Sequence, residues 1–99
     1  MRIKLLRLAI DELVWWRNYY GLVFPDGRPR AEAQLEKAMM LVFEHPALGR
    51  PVEDTHLLQH PILRTPFALI YRRRGDTLEV ARIWDTRRDP DTKALGETE

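Results

Sequence analysis

Five consecutive residues, Phe67-Ala68-Leu69-Ile70-Tyr71, carry no polar atom in their side chains except one phenol hydroxyl. A β-strand turns successive side chains to opposite faces, so a run that is apolar at every position asks for cover on both sides. The run therefore predicts a central strand. Arg74-Gly75-Asp76 has the composition of a tight hairpin turn, and Thr77 through Trp84 reads as the returning strand. Plain alternation puts Leu78, Val80 and Trp84 on one face of it. A two-stranded hairpin cannot cover both of its own faces, so the rest of the 99 residues must supply the layers.

The first half of the chain offers helices. Residues 2–8 read as a strand, because Ile3, Leu5 and Leu8 interleave with Arg2, Lys4 and Arg7, although the period slips at Leu6. From Ala9 the spacing changes to that of a helix, with Ala9, Leu13, Trp16 and Tyr20 in one stripe and Ile10 and Val14 widening it. Asp11 and Glu12 then fall in the first turn, where the helix dipole favours them. This helix should end near Gly21, ahead of the turn Val23-Phe24-Pro25-Asp26-Gly27. A second helix is predicted from Pro29 to about Glu44, with Leu35, Ala38, Met39, Val42 and Phe43 on one face. His45 ends it, since a residue before proline is pushed out of helical geometry.

Pro46-Ala47-Leu48-Gly49-Arg50-Pro51 is loop chemistry, and His56 through Arg64 is a weaker strand in which Pro61 marks an edge, a bulge or a break. The predicted class is α+β in the order β-α-α-β-β-β, a helical hairpin packed on a small, mostly antiparallel sheet. One domain is expected over 1–90, followed by a polar tail over 91–99.

Composition narrows the function. There is no cysteine, which excludes disulfides, thiolate metal sites and cysteine nucleophiles and agrees with a reducing, cytoplasmic setting. No signal peptide and no membrane span are read. His56 and His60 stand four apart on a strand-like stretch and not on a helix, so no metal site is expected. No glycine-rich phosphate loop and no recognition helix are present, so neither a cofactor nor sequence-specific DNA binding by this chain alone is expected. Net charge is only +1, but between Arg72 and Arg88 six arginines face three carboxylates. A negatively charged partner would be drawn there first, unless the arginines merely protect strand ends.

Several local strings, taken in order, resemble the RelE/ParE toxin superfamily of type II toxin–antitoxin systems, and its ParE-like branch in particular. They are Trp15-Trp16-Arg17-Asn18-Tyr19-Tyr20 and His45-Pro46-Ala47-Leu48-Gly49-Arg50-Pro51-Val52, then Arg64 alone before Phe67-Ala68-Leu69-Ile70-Tyr71-Arg72. The last is Val80-Ala81-Arg82-Ile83-Trp84-Asp85-Thr86-Arg87-Arg88-Asp89-Pro90, so that the resemblance spans about residues 2–90.

The resemblance implies a toxin neutralised by a cognate antitoxin whose C-terminal segment wraps it, with Trp15, Trp16, Tyr19 and Tyr20 divided between core and antitoxin contact. It implies DNA gyrase as target, trapped on DNA by binding, with Arg82, Arg87 and Arg88 as contact residues. The alternatives are a ribosome-dependent mRNA endonuclease, or a degenerate member that binds antitoxin without toxicity.

In the nuclease case Arg64, Arg82, Asp85 and Arg88 are the catalytic candidates, because guanidinium groups suit the charge that builds on a phosphate under attack. The needed acid or base would come from Glu53, His56, His60 or Asp85. Asp85 stands where members of this branch often carry histidine, and a carboxylate does not donate a proton at neutral pH unless its pKa is raised. The reading therefore leans away from an enzyme. Arg82 also has a structural alternative, an ion pair with Asp11, Glu12 or Asp85.

Overall fold

The computed structural model describes residues 2–87, so Arg88 and the polar tail expected after Pro90 lie outside the described residues. Strand β1 (Arg2–Leu5) leads into helix α1 (Arg7–Val23) and helix α2 (Arg28–Glu44). Strands β2 (Arg50–Pro51), β3 (Leu58–Pro61), β4 (Phe67–Arg74) and β5 (Thr77–Asp85) follow. The sheet has the order β1-β5-β4-β3-β2, with β1 parallel to β5 and every other pair antiparallel. The α+β class and the order of elements are as the sequence predicts, with β2 in addition.

The slip in period at Leu6 marks the end of β1. The Leu6 amide donates to the Val80 carbonyl as the last rung with β5, and the Leu6 carbonyl already accepts from Ile10 as the first bond of α1. Arg7 and Leu8 therefore belong to the helix and not to the strand. Asp11 and Glu12 consequently sit beyond the first turn, which holds no acidic residue. Their expected role at the helix dipole is lost, and Glu12 is used elsewhere. The helix also runs past Gly21, to Val23, and stops because Phe24 precedes Pro25. In α2 proline occupies the first turn, where its missing amide costs nothing, and His45 ends the helix before Pro46.

The predicted central strand is buried at all five positions from Phe67 to Tyr71. Its two faces see different cover. On the helix side lie Trp16, Tyr20, Leu35 and Val42 with Phe67, Leu69, Tyr71, Leu78, Val80 and Ile83. On the other side a smaller cluster joins Leu6, Val52, Leu57, Ile70, Ala81 and Trp84, so the loop from 52 to 57 is the second layer. Full burial of each large side chain is worth about 1.5–3 kcal/mol, which makes both layers necessary.

The register of β5 overturns one expectation. Tyr71 pairs with Val80 but Ile70 pairs with Arg82, so Ala81 is an extra residue in a β-bulge. The bulge resets the alternation. Leu78, Val80 and Ile83 face the helices, whereas Trp84 moves to the opposite face with Ala81.

Two further departures come from residues 46–61. The expected loop after Pro46 contains β2, whose Arg50 and Pro51 pair with Gln59 and Leu58. Two residues are too few to show a period. The weaker strand is confined to Leu58–Pro61, and Pro61 pairs with Ala68 beyond the reach of β2, where β3 has no outer strand to bond.

Gly49 and Tyr71 fasten this region to the core. The Gly49 amide donates to the Tyr71 hydroxyl, which in turn donates to the Pro46 carbonyl, both at 2.9 Å. A Cβ on Gly49 would stand 2.5 Å from that hydroxyl oxygen, so the close approach requires glycine.

Candidate functional site

Because β1 stops pairing at Leu5, the outer edge of β5 from Ala81 to Asp85 runs on without a strand beside it. Helix α1 crosses in front of this edge and leaves a cavity of about 430 Å³. Leu8, Asp11, Glu12 and Trp15 line it from the helix, and Phe67, Arg82, Ile83 and Asp85 from the sheet.

Glu12 closes one part of that edge. Its Oε1 accepts from the Ile83 amide at 3.1 Å and from Arg82 Nε at 2.9 Å, while Oε2 accepts from Arg82 Nη2 at 2.9 Å. The Arg82 side chain is only 6% exposed, and its guanidinium carbon lies 5.1 Å from the Trp84 ring centre. Among the three carboxylates that the sequence offers Arg82, the structure selects Glu12. A bidentate pair held this way is a structural fastening and leaves little of the guanidinium to meet a phosphate.

At the end of β5 a second pair is open to solvent. Arg87 donates from Nε to Oδ1 and from Nη2 to Oδ2 of Asp85, each at 2.9 Å, and its amide also donates to Oδ1. The Arg87 side chain is 59% exposed. Its hydrogen bond to Asp85, ahead of the plain attraction between the charges, strengthens its hold on the proton. Both oxygens of Asp85 thus accept from Arg87, an arrangement that works against a role as proton donor.

The aromatic residues of α1 divide by helical phase. Trp16 is fully buried and Tyr20 nearly so, which places both in the core. The Trp16 indole N–H has no acceptor among the described residues. Trp15, half exposed, stacks on the partly exposed Tyr19 with ring centres 5.3 Å apart and planes 13° from parallel. Burial raises the pKa of Tyr20 above its usual 10.0, with Tyr19 adding to the effect and the nearby Arg87 charge opposing it.

Trp15, Tyr19, Asp85 and Arg87 are therefore brought together, beside the open edge of β5. Arg64 lies on the adjoining turn between β3 and β4, exposed and with φ of 63°, and lines another cavity together with Tyr20 and Arg30. Thr65 supports that turn by donating to the Ile62 carbonyl and accepting from the Phe67 amide.

The remaining candidates are dispersed. Glu53 is exposed in the loop after β2, and His56 lines a depression with Arg72, Arg73 and Arg74 at the opposite end of β4. His60 lies in a groove between α2 and β3, beside Lys37, Met40, Leu41, Glu44 and Leu63. Burial lowers its pKa from 6.5. Arg88 lies outside the described residues.

Sequence reasoning missed the contact of Glu12 with the β5 backbone, for which the position of Glu12 on α1 held no signal. It also missed the double bond of Tyr71, although a phenol in a buried strand always needs a partner. Among the described residues no group of three or more His, Asp or Glu is placed to hold a metal, and no helix is long and apolar enough to cross a membrane.

The comparisons with known proteins agree with this architecture. No curated relative matches the sequence. Among solved structures, the fold matches a chain described as "Chromosomal ParDE TA system from P. aeruginosa" with a TM-score of 0.69 at 23% identity. The match covers 84% of this chain and 92% of that one. The family model described as "ParE toxin of type II toxin-antitoxin system, parDE" matches residues 3–90, and the chain accordingly belongs to the ParE toxin family.

Proposed function

We propose that this chain is the toxin of a toxin–antitoxin pair, that a cognate antitoxin neutralises it, and that the free toxin inhibits DNA gyrase by binding rather than by catalysis. The membership of the family over residues 3–90 supports the toxin reading. The observation that carries the choice of binding over catalysis is the commitment of Arg82 to Glu12 and of Asp85 to Arg87. Ribonuclease chemistry asks a cationic group and a proton donor to converge on one phosphate. Here His56 and His60 stand in other depressions, away from Arg87.

The antitoxin is assigned to the cavity between α1 and the edge of β5. Trp15 offers it an aromatic anchor, and Ile10 and Val14 extend an exposed apolar stripe along the same helix. Arg64 and Arg87 remain at the neighbouring end as charged contacts for the target.

Pulsed expression of the chain alone, with labelled thymidine and labelled amino acid followed over the first minutes, tests the target. Early loss of thymidine incorporation with continuing translation is the expected result, accompanied by gyrase-dependent DNA breaks. Immediate arrest of translation would mean that the target is the ribosome. Normal growth would mean a non-toxic member that retains only antitoxin binding.

A further inference from the structure

The end of the sheet farthest from Arg87 gathers Arg2, Lys4, Arg72, Arg73 and Arg74. In register across three strands, Lys4 of β1 stands opposite Glu79 of β5, which stands opposite Arg72 of β4. One rung further, Arg2 is opposite Thr77, which is opposite Arg74. Paired residues share a face, and the two rungs are two residues apart on each strand, so all six side chains stand on the same face, about 7 Å from rung to rung.

That face holds four cations and one carboxylate. Glu79, with 8% of its side chain exposed, is held by Arg72 Nε at 2.7 Å and approached by Arg74 Nε at 3.7 Å. Its single charge is therefore shared among several cations. Arg2, Lys4 and Arg74 are exposed, the last with 69% of its side chain in solvent. Arg2, Lys4 and Arg74 line one shallow depression, and Arg74 also borders the next, with Arg72, Arg73 and His56. Asp54 and Asp76 are the other carboxylates nearby, and they leave the region positive.

We propose that this face binds the phosphate backbone of duplex DNA without regard to sequence. The occupant follows from what the surface lacks as well as from its charge. Every large exposed apolar side chain among the described residues lies on the helices, at Phe24, at Leu48 or at Leu63, and none lies on β1, β4 or β5. A protein partner needs an apolar anchor at the centre of its contact. A polyphosphate backbone needs only cations in rows, and gains affinity from the counterions it releases. The proposal is independent of the gyrase reading, because it concerns direct contact with DNA and involves no topoisomerase.

The test is fluorescence anisotropy of a labelled 20-bp duplex of arbitrary sequence with the full chain freed of antitoxin, from about 50 to 200 mM salt. Affinity in the range of about 10⁻⁴–10⁻⁶ M is expected, falling steeply with salt. Replacing Arg2, Lys4 and Arg74 together by glutamine should lower the slope of log affinity against log salt by about one per cation removed. At the low-salt end the affinity should fall about tenfold or more.

Lys37→Gln, which removes an exposed cation of α2, should leave both quantities unchanged. Equal slopes for the triple variant and the wild type, or equal weakening by Lys37→Gln, overturn the proposal. Tighter binding to single-stranded RNA of the same length overturns the assignment to duplex DNA. Loss of antitoxin binding in the triple variant with DNA binding intact makes the face a protein contact and overturns it as well. Because gyrase is absent from the assay, these outcomes are read separately from any failure of the gyrase reading.

Discussion

At the scale of single residues, two buried polar arrangements hold this molecule in shape. Removing Glu12 would leave the Arg82 guanidinium and the Ile83 amide without their acceptor in a site where Arg82 is 6% exposed. Glu12→Ala is expected to cost about 3–5 kcal/mol in urea unfolding, whereas Glu12→Leu combined with Arg82→Met should recover much of that loss. A double variant as unstable as the single one would show that the pair is not a self-contained unit. Tyr71→Phe removes both hydrogen bonds of the phenol and leaves the Gly49 amide and the Pro46 carbonyl in want of a partner. About 2 kcal/mol of destabilisation is expected in the same measurement.

The helical phase of α1 separates two tryptophans that are neighbours in sequence. Trp16→Ala should unfold the chain, at a cost of about 3–5 kcal/mol, while Trp15→Ala should leave the thermal midpoint nearly unchanged and weaken antitoxin binding in calorimetry. Equal loss of stability in both would refute the division between core and contact. Periodicity predicted that division in kind, since Ala9, Trp16 and Tyr20 share one stripe, but it could not say which aromatic residues a partner would meet.

At the scale of elements, the bulge in β5 decides which side chains meet. Deleting Ala81 removes the extra residue and leaves Arg82, Ile83 and Trp84 opposite Ile70, Leu69 and Ala68 as before, so that Ile83 and Trp84 keep their faces in plain alternation. The apolar set therefore stays in its layers, and the deletion is expected to keep cooperative unfolding and near-UV circular dichroism, whose loss would show that the extra residue is itself needed to seat Ile83 and Trp84. The helices and the hairpin were legible because each spans several periods of its own pattern. The bulge was not, because one extra residue leaves no mark on a segment that is apolar on both faces. Strand β2 was invisible for a related reason: two residues have no period, and only β3 lying beside them makes them a strand.

At the scale of the whole molecule, buried titratable groups bound the pH range of stability. His60 keeps a pKa below 6.5 in the folded state because burial disfavours its charge, with Lys37 and Glu44 lining the same groove. As pH falls through 6.5 the unfolded chain takes up the proton first, so stability present above that value is lost on acidification. Tyr20 and Tyr71 are raised above 10.0, both chiefly by burial, so the unfolded chain ionises first on the alkaline side and stability declines above about pH 10. Thermal midpoints between pH 5 and 11 should trace a plateau with two falling arms, and His60→Gln should flatten the acid arm alone. An acid arm unchanged in that variant would assign it to the carboxylates instead.

The amino-acid sequence by itself determined the class, the order of the elements and the central place of Phe67–Tyr71, because periodicity and turn chemistry are local properties of the chain. It also carried the resemblance that the family match extends over residues 3–90. Only the tertiary structure decided that Glu12 caps the edge of β5, that Arg82 is spent on it, and that Arg87 pairs with Asp85 at the end of that strand. Those outcomes depend on where β1 ends relative to β5 and on a bulge that rotates one strand against another. Contacts between residues some 70 positions apart, such as Glu12 with Arg82, leave no periodic trace in either segment. They exist only once the sheet has brought the two segments together.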